Sequence, residues 1–109
     1  MDEQILKGLN DLFQAKARLG IMTALTTMGE MDFSALKSFL GLTDGNLSAH
    51  LRVLEEAGYL EVEKKFVGRR PKTLYRLTPS GREAFSAYLR QLEAIIRMVE
   101  REGKPPAHP

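Results

Sequence analysis

The stretch Leu40-Gly41-Leu42-Thr43-Asp44-Gly45-Asn46-Leu47-Ser48-Ala49-His50-Leu51 decides the fold. Gly41 fits the position just past a helix end, where a left-handed backbone costs least. Thr43 can cap a new helix running from about Asp44 to Ala57, with Leu47, Leu51 and Leu54 as its apolar stripe and Gly58 as its stop. Upstream, Asp32 can cap a shorter helix whose buried face is Phe33, Leu36 and Leu40. Two short helices separated by a turn of about three or four residues make a helix-turn-helix.

Working outward, Ile5 to Met28 carries apolar residues at helical spacing: Ile5, Leu6, Leu9, Leu12 and Phe13, then Ile21, Met22 and Leu25. Gly20 interrupts the run, which predicts either one helix bent there or two short ones. Gly29-Glu30-Met31 ends it. Past Gly58 the period changes from helical to alternating. Leu60, Val62 and Phe66 share one face, and Glu61, Glu63 and Lys65 the other. Gly68-Arg69-Arg70-Pro71-Lys72 reads as a turn and Thr73 to Leu77 as a second strand, giving a hairpin with a basic tip. Thr78-Pro79 opens a last helix, threonine as cap and proline at the first helical position. Along it Phe85, Leu89, Leu92, Ile96 and Val99 form a seam of the coiled-coil kind, and the helix is expected to fray before Gly103. The expected fold is mainly α with a small β-hairpin. One domain is expected over residues 1–102, followed by a disordered tail over 103–109.

Composition narrows the function. With 109 residues there is room for one core, and a formal net charge of only +2 says less than where the charges lie. The absence of cysteine excludes disulfides, thiolate metal sites and cysteine nucleophiles. His50 and His108 are far apart, so no histidine metal site is expected and no cofactor is implied. His50, next to the apolar stripe, suits a structural or phosphate-contacting role. No nucleophile motif, acid–base pair or glycine-rich phosphate loop is present, and no enzyme is expected. Without a membrane-length apolar run or a signal-like start, a cytoplasmic protein is the default.

Three constellations remain. The helix after Thr43 has an apolar back and a short polar front, with Asn46, Ser48 and Arg52 able to bond base edges or phosphates and Ala49 small enough for close approach. The same pattern also fits a helix that merely faces water. Between Lys64 and Arg76 the basic residues Lys64, Lys65, Arg69, Arg70, Lys72 and Arg76 have no acidic residue among them. A basic turn can guard a sheet edge, but directly after a helix-turn-helix it suits phosphate contact. The terminal seam exceeds what one small core needs and predicts self-association, with the stripe Ile5, Leu9 and Leu12 packing on it within the chain or from a partner.

The stretch from Leu40 to Leu51, the following Leu54-Glu55-Glu56-Ala57-Gly58-Tyr59-Leu60 and the exit Tyr75-Arg76-Leu77-Thr78-Pro79-Ser80-Gly81 resemble winged-helix transcriptional regulators. They are most similar to the MarR-like and ArsR-like groups, and above all to small winged-helix DNA-binding proteins with little beyond that domain and a terminal helix. The resemblance covers about Leu19 to Leu89. It implies a homodimer on a pseudo-palindromic duplex, a recognition helix using Thr43, Asn46, Ser48, Ala49 and Arg52, and a wing using Arg69, Arg70 and Lys72, to which the basic run adds Lys65 as a candidate. The chain lacks the cysteine or clustered histidine of the metal-sensing branch and the Asp-x-Arg wing pattern of typical MarR members, so neither a metal nor a MarR ligand pocket carries over. The leading expectation is a sequence-specific, double-stranded DNA-binding repressor, dimeric through Phe85, Leu89, Leu92, Ile96 and Val99. The rival is a winged-helix adaptor that binds protein instead, for which the basic wing has no use.

Overall fold

The computed structural model describes residues 6–103. A single 3-10 turn, Asp11–Phe13, precedes α1 (Lys16–Met28), β1 (Met31–Asp32), α2 (Phe33–Leu40), α3 (Asp44–Glu56), β2 (Leu60–Val67), β3 (Arg70–Leu77) and α4 (Pro79–Glu102). Among the described residues, α1 to α4 and a three-stranded antiparallel sheet in the order β1-β3-β2 make an α+β winged-helix architecture with a long final helix.

The caps fall where side-chain chemistry places them. The Asp32 carboxylate accepts the Ala35 N–H at 2.7 Å, the Thr43 hydroxyl the Asn46 N–H at 3.2 Å, and the Thr78 hydroxyl the Gly81 N–H at 2.9 Å. Each satisfies one of the N–H groups that a helix start leaves open. At the end of α2, Gly41 takes φ 66° and both its N–H and that of Leu42 bond the Lys37 carbonyl. This tight reversal delivers the chain into α3.

The N-terminal stretch breaks elsewhere than at Gly20. Asn10 caps the 3-10 turn, accepting the Leu12 N–H at 2.9 Å, and Ala15 is extended before α1 begins. Gly20 lies inside α1, where an added Cβ would stand 2.9 Å from Leu40 Cδ2. Its service is therefore closeness between α1 and α2 rather than a bend. Phe13, Leu9 and Leu12 pack on the core of their own chain. Gln91 of α4 also donates to the Gly8 carbonyl at 2.7 Å. Ile5 and residues 104–109 of the expected tail lie outside the described residues.

The hairpin is longer than expected. Val67 pairs with Arg70 across a two-residue turn, Gly68-Arg69, and the ladder runs unbroken to Leu60–Leu77. Gly68 takes φ 67°, as the first position of such a tight turn demands. Arg70, Pro71 and Lys72 therefore belong to β3 and not to a loop. Hairpin alternation puts Pro71 at a non-hydrogen-bonded site, so its missing N–H costs the ladder nothing. Sequence periodicity also overlooked β1, whose Met31 and Asp32 pair with Tyr75 and Leu74. Phe66, expected to share one face with Leu60 and Val62, is exposed, whereas Leu60 at the base of that face is buried.

The core joins Phe13, Ile21, Met22, Leu25, Leu36, Leu47, Leu51 and Leu54 to Leu60, Leu77, Phe85 and Tyr88. Phe85 corrects the expected seam. Only 3% exposed, it is consumed by its own chain, packing edge-on to Phe13 with ring centroids 5.3 Å apart. Leu92 is half-buried against the same core. Beyond Tyr88 no residue of α4 is buried, and Leu89, Ile96 and Val99 are 43%, 56% and 59% exposed. A 24-residue helix is about 36 Å long, so its second half projects with an uncovered apolar stripe. No helix of the described residues is long and apolar enough to cross a membrane.

Candidate nucleic-acid interface

Burial of Leu47, Leu51 and Leu54 fixes the rotation of α3. At 100° per residue, Gly45 and Ala49 then fall on the crest opposite the core, leaving backbone exposed to a close approach. Arg52 stands beside that crest and Ser48 on the flank toward the hairpin, while Asn46 and His50 occupy the other flank. The named residues of α3 are thus divided between two sides. Ser48, Arg52 and Glu55 line a groove of about 220 Å³ with Val62 and Lys64 of β2 and Tyr75 of β3. Asn46 and His50 line a cleft of about 590 Å³ with Lys16, Ala17 and Gly20 of α1 and the Gly41-Leu42 turn.

His50 is held from behind. Arg18 Nη1 lies 3.0 Å from His50 Nδ1 while Arg18 Nε donates to the Leu12 carbonyl at 2.6 Å. Arginine can only donate, so Nδ1 is the acceptor here. Thr43 spends its oxygen on the cap yet keeps a hydroxyl proton to offer a phosphate, and the open N-terminus of α3 is itself favourable to an anion. Asp44, alongside, pairs with Lys37 of α2 at 2.8 Å. That pair reduces the repulsion Asp44 would otherwise present.

The hairpin's charges sort into two groups. Arg76, at its base, is fully engaged: Nε donates to Glu61 at 2.7 Å, and Nη1 to Glu30 at 2.7 Å and to Glu63 at 3.2 Å. These bonds, that to Glu61 foremost, raise its pKa further, so it is a permanent structural cation. Lys72 approaches Asp32 Oδ2 at 3.5 Å, a long, partly exposed pair that can give way to a phosphate. Lys64, Lys65, Arg69 and Arg70 make no ion pair among the described residues. Of the expected wing residues, Lys65, Arg69 and Arg70 are uncommitted and Lys72 is paired.

Lys64 and Tyr75 are additions to the expected set. Alternation with Val62 was the available signal, since it turns Lys64 toward α3 and Lys65 to the opposite face, across from Lys72. Burial, aided by the nearby Glu55 charge, raises the Tyr75 pKa. Its hydroxyl therefore stays protonated and able to donate. Among the described residues no cluster of histidine, aspartate or glutamate is placed to hold a metal ion.

A helix presented beside a basic two-stranded ribbon is the geometry of the winged helix. The family model described as winged helix DNA-binding domain matches residues 17–96. This chain belongs to that family. In its terms α3 takes the place of the recognition helix and the β2–β3 hairpin that of the wing. The chain is 36% identical over 89 residues to Uncharacterized protein MJ0432 of Methanocaldococcus jannaschii, spanning 82% of this chain and 97% of that one. Among solved structures, a transcriptional regulator homologue of Pyrococcus horikoshii OT3 superposes with a TM-score of 0.79 at 34% identity, over 89% of this chain and 94% of that one. A MarR-family protein of Enterococcus faecalis V583 gives 0.75 at 24% identity over 94% and 93%, a likeness of fold.

Membership of the winged-helix family gives the uncommitted arginines a direct test. Arg69→Ala combined with Arg70→Ala is expected to weaken duplex binding at low salt. It should also lower the log–log salt slope by about 0.9 for each phosphate that the variant no longer neutralises. Titrations of a labelled duplex across salt concentrations measure this, and a slope equal to wild type would place the wing tip outside the interface.

Proposed function

We infer that this DNA-binding transcriptional regulator acts as a two-fold homodimer that reads a pseudo-palindromic duplex and represses by steric block. The observation that carries this reading is the groove joining Ser48 and Arg52 of α3 to Lys64 of the wing, with the unpaired Arg69 and Arg70 at the wing's tip. It sets cations on helix and wing beside a helix crest small enough to enter a major groove. Ser48 and Tyr75 supply neutral donors along it. Phosphate contact from the wing fixes the register, and α3 reads bases.

Dimerisation rests on the uncovered stripe of Leu89, Ile96 and Val99, with half-buried Leu92 beside it. A stripe repeated by a two-fold axis is self-complementary. Such a dimer would set the two recognition helices about 34–36 Å apart, one turn of DNA.

Selection of bound sequences from a random duplex pool tests the reading. Two inverted half-sites spaced by about one turn are expected, and failure to enrich any sequence at any salt would reject it. Within the selected site, Asn46→Ala and Ser48→Ala are each expected to cost about 1–3 kcal/mol and to relax preference at one position. Because the two side chains lie on opposite flanks of α3, the relaxed positions should differ. An unchanged affinity ratio between selected and scrambled duplexes would remove the residue concerned from base reading.

A further inference from the structure

Phe66 is 72% exposed, more than any other large apolar side chain among those described as exposed. A single exposed apolar residue is ordinary on a protein surface. Its position is what gives this one meaning. Strand alternation puts it on the face of Val62 and Lys64, the face that lines the groove with Ser48 and Arg52. Its cross-strand partner there is Pro71, also exposed and apolar. Lys64 shares this face and Arg69 stands at the turn, while Lys65 and Arg70 lie on the opposite face of the ribbon, with no acidic residue between Glu63 and the turn.

We propose that Phe66 is an apolar wedge which enters the DNA minor groove with the wing, presses on one base step and bends the duplex. The inference rests on the DNA-binding reading above and deepens it. Cations on both faces of the ribbon and at its turn fit the two phosphate walls of a groove, and between those walls the dry surface is the sugar rim and the base faces. Apolar side chains delivered into the minor groove partly unstack a step and kink the helix toward the major groove. Pyrimidine–purine steps yield most readily, so Phe66 selects a TA or CA step without any hydrogen bond to it. A second copy of the chain is a poor occupant, since Lys64 and Arg69 of each copy would meet.

The test uses the full chain and its selected duplex. Circularly permuted fragments carrying the site should migrate according to its position. 2-Aminopurine at the step under the wing should brighten on binding. Phe66→Ala is expected to abolish both signals, weaken binding about tenfold and erase the TA or CA preference in a repeated selection. Phe66→Leu should keep most of the bend. A wild-type complex with straight DNA, or a Phe66→Ala complex that bends and brightens like wild type, overturns the wedge while leaving DNA binding intact. A change in sedimentation on Phe66→Ala would assign the ring to a second copy and also overturn it. If the wild-type chain binds no duplex even at low salt, the DNA-binding reading falls first and the wedge with it.

Discussion

Replacing Ile96 and Val99 together by glutamate is expected to leave a folded monomer whose DNA affinity has dropped about 10²–10⁴-fold. Both side chains are more than half exposed and touch no part of the core, so the fold has little to lose from either change. In the proposed dimer they are covered by their counterparts. Each full burial is worth about 1.5–3 kcal/mol, and every residue counts twice across a two-fold axis. Against an association cost of roughly 4–15 kcal/mol, the stripe decides whether two chains stay together. Four carboxylates brought into that contact would reverse its sign. The affinity drop follows from tethering: a dimer's second half-site binds as an intramolecular event, and avidity of about 10²–10⁴ disappears with it. Sedimentation should show one monomeric species with an unchanged far-UV spectrum. A double variant that remains dimeric and binds normally would move the interface away from α4. Leu92→Glu is a poorer probe, because Leu92 also packs on its own core and its replacement confounds folding with assembly.

Phe13→Ala is expected to cost about 3–5 kcal/mol of stability, the cost of truncating a fully buried phenylalanine. Its ring centroid lies 5.6 Å from that of Tyr59, 5.3 Å from Phe85 and 5.2 Å from Tyr88, and the last two contacts are edge-on. The Tyr88 hydroxyl also reaches the Phe13 carbonyl at 3.5 Å. One side chain therefore ties the N-terminal segment to α4 and to the base of the wing. For a domain of this size the melting temperature should fall on the order of 15 °C or more. A thermal melt followed by circular dichroism measures it, and a drop under about 5 °C would mean that the aromatic cluster repacks without its centre. DNA binding should weaken well below the new melting temperature, since Tyr59 immediately precedes β2.

What could be read from the sequence was set by local physics. Asp32, Thr43 and Thr78 cap because a side-chain oxygen reaches an N–H two or three residues on, whatever the rest of the chain does. The rows Leu47–Leu51–Leu54 and Phe33–Leu36–Leu40 follow from helix period alone. The errors concern residues whose role depends on distant partners. β1 is two residues long and exists only because Tyr75 and Leu74 lie beside it. Gly20 looked like a break because the need for space opposite Leu40 is invisible in one strand of text. Phe85 keeps the seam's period but faces Phe13, a residue 72 positions earlier, instead of a second chain. Within the candidate site, α3 was legible as a face, but its division into a wing flank and an α1 flank required the neighbouring elements. Lys72 looked as available as Arg69 and Arg70, and only the fold shows Asp32 beside it, as it shows Glu30, Glu61 and Glu63 around Arg76.

The three carboxylates around Arg76 also bear on how an encounter with DNA begins. Against one guanidinium they leave two negative charges at the base of the wing, while the tip carries uncompensated cations. The ribbon therefore has an electrical polarity along its length. Near a polyanion that polarity acts as a torque, turning the tip inward and the base outward over roughly the Debye length, about 10 Å at moderate salt. Collisions that start in the wrong attitude are rotated before contact instead of being wasted. The small net charge of the chain thus understates its capture rate, because the field that guides arrival comes from the separation of charge and not from its sum.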